Sequence, residues 1–178
     1  MAVRRSAPAQ ALTTPGPSEA EISEILQLGA RTPDHGKLFP WRFVVLGPQS
    51  RADIAQQLSA LAVAQGLPGK ARAVLAKLTA APVTILVVST AAPGPKPVWE
   101  QELSAGAVCM NLLIAAQAMG FGGSWLTNWF SFDRGVLDAF GLSGSERVAG
   151  FIHLGPPTTV PAERDRPVLA DIVTTYGV

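Results

Sequence analysis

Between Leu103 and Gly120 the chain is apolar almost without a break, interrupted inside by Asn111 and Gln117. A stretch of that length stands at the lower limit for crossing a bilayer. Glu100 and Glu102 come just before it and no cation borders it, which argues against a span. The reading that remains is a helix over 98–119, hydrophobic nearly all round because it lies at the centre of the fold or between subunits. Val83 to Ser89 is a second continuous apolar run, of strand composition, and suits a strand buried on both faces. A chain with these two elements must cover both sides of a sheet.

The other elements alternate around them. Ser18 and Glu21 form a capping box that opens a helix over 18–30, with Ile22, Ile25, Leu26 and Gly29 at helical spacing. A strand over 41–46 follows, then a helix over 49–65 with Ile54, Leu58, Leu61 and Ala62 on one side. Gly66 to Gly69 breaks it before a short helix over 70–78. A strand over 122–127, a helix over 132–140 and a strand over 147–154 complete the set. An extended arm over 1–17 precedes them, and an irregular, proline-rich tail runs from Pro156 and closes over 168–178. This order gives an α+β or α/β sandwich with helices on both sheet faces. With no internal repeat and no linker, residues 1–178 are expected to form one domain.

Composition narrows the partners. Apolar residues make up 48% of the chain and charged ones only 15%, so some apolar surface is expected to lie against a partner chain. A net charge of +1 gives no basic face for nucleic acid. The single cysteine, Cys109, excludes an internal disulfide and a cysteine-ligated metal site, and points to the cytoplasm. Met1-Ala-Val-Arg-Arg-Ser leads into a proline-rich stretch rather than an apolar core, so no signal peptide is expected.

The chemistry concentrates in short stretches. The link over 31–40 crowds Arg31, Pro33, Asp34, His35, Lys37 and Pro40 between a helix and a strand. Pro33-Asp34 and Gly36 are good turn residues, and His35 could serve only to cap a carbonyl. Rigid elements on both sides nevertheless make this the place where a binding loop is expected. Arg4-Arg5-Ser6 pairs two guanidinium forks with a hydroxyl, a combination suited to a phosphate, and Arg164 and Arg166 form another cationic pair. Gly120-Phe-Gly-Gly123 combines a helix C-cap with glycines that would let backbone approach a flat ligand. Rossmann, P-loop, nucleophile-elbow and zinc-protease motifs are absent, and His35 and His153 are too few for a histidine-rich metal site. No catalytic side chain stands out. If the chain is an enzyme, a cofactor carries the reactive chemistry.

In this order, Arg4-Arg5-Ser6, the block from Arg31 through His35 to Pro40-Trp41, Trp99-Glu-Gln-Glu102, Gly120-Phe-Gly-Gly123 with Trp125, and Gly150-Phe-Ile-x-Leu-Gly-x-Pro157 resemble the nitroreductase family. The resemblance is to its compact, single-domain branch. It implies an α+β sandwich, a mostly antiparallel central sheet flanked by helices, in an obligate homodimer with two FMN sites at the subunit interface. Carried over, Arg4, Arg5 and Ser6 would hold the FMN phosphate and ribityl chain, and Arg31 and His35 would reach the cofactor from the partner subunit. Trp125, Leu126 and Thr127 would approach the ring or its chain. The segment Ala115, Ala116, Gln117, Ala118, Met119, Gly120 would lie near the nicotinamide donor, and Arg166 and Arg164 would be further phosphate ligands. The implied reaction passes a hydride from NADH or NADPH through the flavin to a nitroaromatic, quinone or similar electron-poor acceptor. A flavin carrier or sensor with little turnover, flavin breakdown, and reductive dehalogenation are the alternatives on the same scaffold. The resemblance also implies a full helix ahead of the Arg-Arg-Ser equivalent, where this chain has Met1, Ala2 and Val3.

Overall fold

The structure, a computed structural model, describes residues 3–177. Met1, Ala2 and Val178, which the sequence reading placed in the arm and the closing tail, lie outside the described residues. Four strands form one sheet: β1 (Trp41–Leu46), β2 (Val83–Ser89), β3 (Gly122–Leu126) and β4 (Arg147–Gly155). Their order is β1-β2-β4-β3, and every neighbouring pair is antiparallel. The fold is α+β, as the resemblance implied.

β2 is buried along its whole length, because its two faces feed two separate cores. Leu86 and Val88 point into a cluster with Leu58, Leu78, Phe130 and Phe151. Ile85 and Val87 point the other way, to Ile25, Val108, Leu112 and Ile152. The strand's two-residue period assigns alternate side chains to opposite layers. The first core lies under α2 (Pro48–Ala64), α3 (Gly69–Ala73), α4 (Ala76–Ala80) and α6 (Arg134–Ala139). The second lies under α1 (Glu19–Gly29) and α5 (Val98–Ala118). The Ser18–Glu21 capping box forms as the sequence indicated.

Two elements differ from the sequence expectation by more than one residue at an end. The helix expected over 70–78 is split into α3 and α4, because Leu75 and Leu78 bond back only three residues and tighten the chain between them. That tightening turns both leucines inward. The helix expected over 132–140 starts at Arg134 with Asp133 as its N-cap, and a separate 3₁₀ turn, Trp129–Ser131, precedes it. The tail carries a single short helix, α7 (Leu169–Ile172), with no buried residue.

The interior also holds polar groups that composition did not advertise. The Arg51 guanidinium is buried and caps the carbonyls of Leu78, Ala81 and Pro82 at the entrance to β2. His153 lies buried beside Thr84, 2.9 Å from its hydroxyl, and burial pushes its pKa down to about 4. Burial raises the Cys109 thiol to about 12, so it is an inert core residue. No described helix is long and apolar enough to cross a membrane.

Candidate functional site

The residues singled out in the sequence gather into two groups on opposite flanks of α5. The first is the loop over 31–40. Its scaffold is supplied by the polar side chains of α5, which the apolar pattern had concealed. Asn111 donates to the Thr32 hydroxyl at 2.7 Å, and that hydroxyl donates to the Gly29 carbonyl. Ser104 donates to the Pro33 carbonyl at 2.9 Å while accepting from the Trp41 indole at 3.2 Å. Glu100 meets His35 Nδ1 at 2.6 Å. Buried Gln101 binds Ala92 and Lys96 through their backbones, and the Lys96 stem lies against Gly36. Within the loop, the Asp34 carboxylate accepts from the amides of Leu38 and Phe39. Lys37 and Phe39 both adopt positive φ, 56° and 48°, a conformation that persists only where the surroundings impose it. Arg31, His35 and Phe39 are exposed at the rim of this scaffold.

The second group is built on the arm and the tail. The Ala7 amide donates to the Gly123 carbonyl at 3.0 Å, which lays the arm along the start of β3. Arg4 donates to the Ser6 hydroxyl. Arg5 meets one oxygen of Glu163, and Arg166 donates to the other at 3.0 Å. Two guanidinium groups from opposite ends of the sequence thus converge on one anion. Arg164 is exposed and shares only its backbone amide with that carboxylate. Arg4, Arg5, Leu113, Gln117, Gly122 and Pro157 line a cleft of about 250 Å³ beside this pair.

Trp125 lies between the groups. Its indole donates to the Ala149 carbonyl at 3.0 Å and lies against the backbone of Gly150, where any Cβ would overlap the ring. Gly106 of α5 faces its far edge. Leu126 is half-buried and Thr127 exposed. Of the segment 115–120, Ala115 and Ala116 belong to the core, while Gln117 and Gly120 border the cleft. Gly120, at φ +90°, is the helix cap expected of it. Gly123 has a packing role beside the one its sequence suggested. A Cβ there would press on Leu113, Leu154 and the His153 carbonyl at 2.9 Å, so this glycine seats β3 on its neighbours as well as bordering the cleft.

The helical repeat explains the arrangement. At 3.6 residues per turn, Glu100, Ser104 and Asn111 share one flank of α5, and Gly106, Leu113 and Gln117 share the opposite one. Between them on the outer face run Trp99, Leu103 and Ala107, with the first two 62% and 60% exposed. From Glu100 to Gln117 the helix rises about 25 Å, so within one chain the His35–Glu100 contact and the Gln117 side of the cleft stand at opposite ends of it.

No cluster of potential metal ligands is present among the described residues. What the site offers is an anion-holding arginine pair, an aromatic wall and a fixed polar loop. Such parts suit a bound cofactor that carries the reactive chemistry itself.

Comparison with known proteins makes the class definite. The model of the nitroreductase family matches residues 1–156, and the chain belongs to that family. It is therefore an oxidoreductase of the nitroreductase type. It is 38% identical over 157 residues to the provisionally named NAD(P)H nitroreductase YdjA of Escherichia coli (strain K12), covering 86% of this chain and 84% of that one. A nitroreductase-like family protein from Bacillus cereus superposes with a TM-score of 0.84 at 17% identity, over 99% of this chain and 94% of the other. A provisionally named nitroreductase from Desulfovibrio desulfuricans, solved in complex with FMN, gives 0.76 at 24% identity, over 99% and 94%. At these identities the two structures establish the fold.

Proposed function

We propose that the chain is a single-domain, FMN-dependent NAD(P)H oxidoreductase, working as a homodimer whose two cofactor sites each draw on both chains. The observation that carries this reading is the convergence of Arg5 and Arg166 on one carboxylate beside the cleft. A carboxylate shared by two guanidinium groups is the chemical counterpart of a phosphate monoester, which would accept the same bonds with more charge. Arg4 and Ser6 stand next to that pair for the ribityl chain, and Trp125 offers a flat apolar wall for a ring. The residues therefore fit FMN, which has one phosphate.

The second chain follows from α5. Trp99, Leu103 and Ala107 leave an apolar strip exposed, and the tail adds Val168, Leu169, Ile172 and Tyr176, all exposed in the single chain. Surface of this kind calls for a partner. Pairing two copies of the strip in antiparallel fashion would bring the Glu100 end of one helix to the Gln117 end of the other. The loop of one chain then faces the arm of its partner. Arg31 and His35 would reach the cofactor held by the other chain's Arg5 and Arg166.

Arg5 and Arg166 would hold FMN there, and the cofactor would supply the redox chemistry between NADH or NADPH and a nitroaromatic, quinone or similar electron-poor acceptor. The protein's part is to hold the phosphate, place the ring and admit both substrates in turn over the Gln117–Gly120 end. A cytoplasmic enzyme is consistent with the lone buried cysteine. The test is an absorbance scan of the purified protein with identification of the released chromophore, then NADH and NADPH oxidation with a nitroaromatic and a quinone. FMN release and acceptor-dependent turnover are expected. A colourless protein that fails to bind added FMN would overturn the reading.

A further inference from the structure

We propose that Glu100 is a positioning residue: it fixes His35 in the Nδ1–H form, so that the neutral ring turns an accepting Nε2 outward to the ligand. The inference rests on the reading of His35 as a cofactor contact, and adds the group that decides what kind of contact it makes.

The geometry is direct. His35 Nδ1 and Glu100 Oε2 are 2.6 Å apart, and an ionised carboxylate can only accept in such a bond. The proton must then sit on Nδ1. In a neutral imidazole the other nitrogen is left as a lone-pair acceptor. Both partners are held independently of their contact. Glu100 stands in the first turn of α5, where a carboxylate is favoured by the helix dipole. His35 is carried by a loop fastened through Thr32, Pro33 and Trp41 to Asn111 and Ser104. The Nδ1–carboxylate bond sets ring rotation as well as tautomer, while the ring itself stays more than half exposed, at 54%. A ligand at the loop rim therefore meets a nitrogen of fixed direction, matched to an N–H or O–H donor. Flavin ring N–H and ribityl hydroxyl groups both belong to that class.

The chain has two histidines, and the second, His153, is buried, so ring ¹⁵N spectra of the full-length protein contain only two imidazoles to assign. Recorded in the unliganded protein at alkaline pH, they are expected to show Nδ1 of His35 protonated and Nε2 of the pyridine type. Glu100→Ala should shift the ring toward the Nε2–H form that free histidine prefers, and weaken FMN binding by roughly three- to tenfold. Glu100→Gln keeps an accepting oxygen and should recover part of both effects. In a double-mutant cycle, Glu100→Ala should cost almost nothing further once His35→Ala is present. A wild-type spectrum of the Nε2–H form, or Glu100→Ala losses that persist in full on the His35→Ala background, would overturn the inference. FMN affinity unchanged by His35→Ala would instead overturn the reading of His35 as a cofactor contact.

Discussion

The two groups that flank α5 are held by different physics. The loop over 31–40 is tied by side chains of a central helix, through Asn111, Ser104 and Glu100, and keeps two non-glycine residues at positive φ. Its shape belongs to the fold. The arm and tail meet through charge, with Arg5 and Arg166 sharing Glu163, a carboxylate that is 53% exposed. Exposed pairs of this kind add little stability and reorganise readily around a stronger anion. On the proposed reading, one half of the site would be built before any ligand arrives, and the other would be assembled by it. Substitutions in the loop scaffold should disturb folding and binding together, whereas those in the arm should disturb binding alone.

The largest effect separates both halves from the sheet behind them. His153 is buried neutral, with its pKa depressed from 6.5 to about 4. The unfolded chain therefore binds a proton that the folded chain refuses, and stability is full above about pH 6.5 and falls as the pH drops toward 4. The loss attributable to this residue approaches about 3 kcal/mol. Urea unfolding of the wild type and His153→Gln across that window should show a flatter pH slope in the variant. Equal slopes would mean that His153 does not titrate as its burial requires.

Next comes Arg5→Ala, which should weaken FMN binding by ~1.5–3 kcal/mol, about ten- to a hundredfold. The melting temperature of the FMN-free protein should barely move. Arg5→Lys should recover only part of the affinity, since an ammonium lacks the bidentate fork. Fluorescence quenching beside apo-protein melting gives both numbers, and a large fall in melting temperature would place the arm with the prebuilt half.

Asn111→Leu should have the opposite signature. It removes the donor to Thr32, costs about 1 kcal/mol of stability and lowers apo melting by roughly 2–4 °C, and it weakens FMN binding as the loop loosens. The smallest effect has the other sign. Glu163→Gln removes the internal anion from the arginine pair and should tighten FMN binding by roughly two- to fivefold, within the range of an exposed ion pair. Weaker binding in that variant would show that Glu163 orients the arginines rather than competing for them.

Much of the fold was legible because the dominant signals were local. The capping box at Ser18, the unbroken apolar run of β2 and the glycine cap at Gly120 each act through neighbouring residues. The motifs that carry the proposed site residues could be read for the same reason. Their supports could not. Asn111 interrupts an apolar helix in the sequence, but which flank it takes, and that Thr32 waits there, depends on how α1 and the following loop pack on α5. Glu163 becomes meaningful only when the two ends of the chain meet at Arg5. The close packing at Gly123 and Gly150 was hidden because the atoms that crowd them, Leu113 and the Trp125 ring, come from other elements.

The central claim is that each FMN site combines the arm of one chain with the loop of the other. Mixed dimers test it directly. Chains carrying Arg5→Ala and chains carrying His35→Ala, differently tagged and co-purified, should form a heterodimer with one intact site and one doubly impaired site. FMN titration of that heterodimer should reveal one site per dimer with wild-type affinity, although both homodimers bind weakly. A heterodimer in which no site recovers wild-type affinity would place both halves of the site in the same chain and contradict the account.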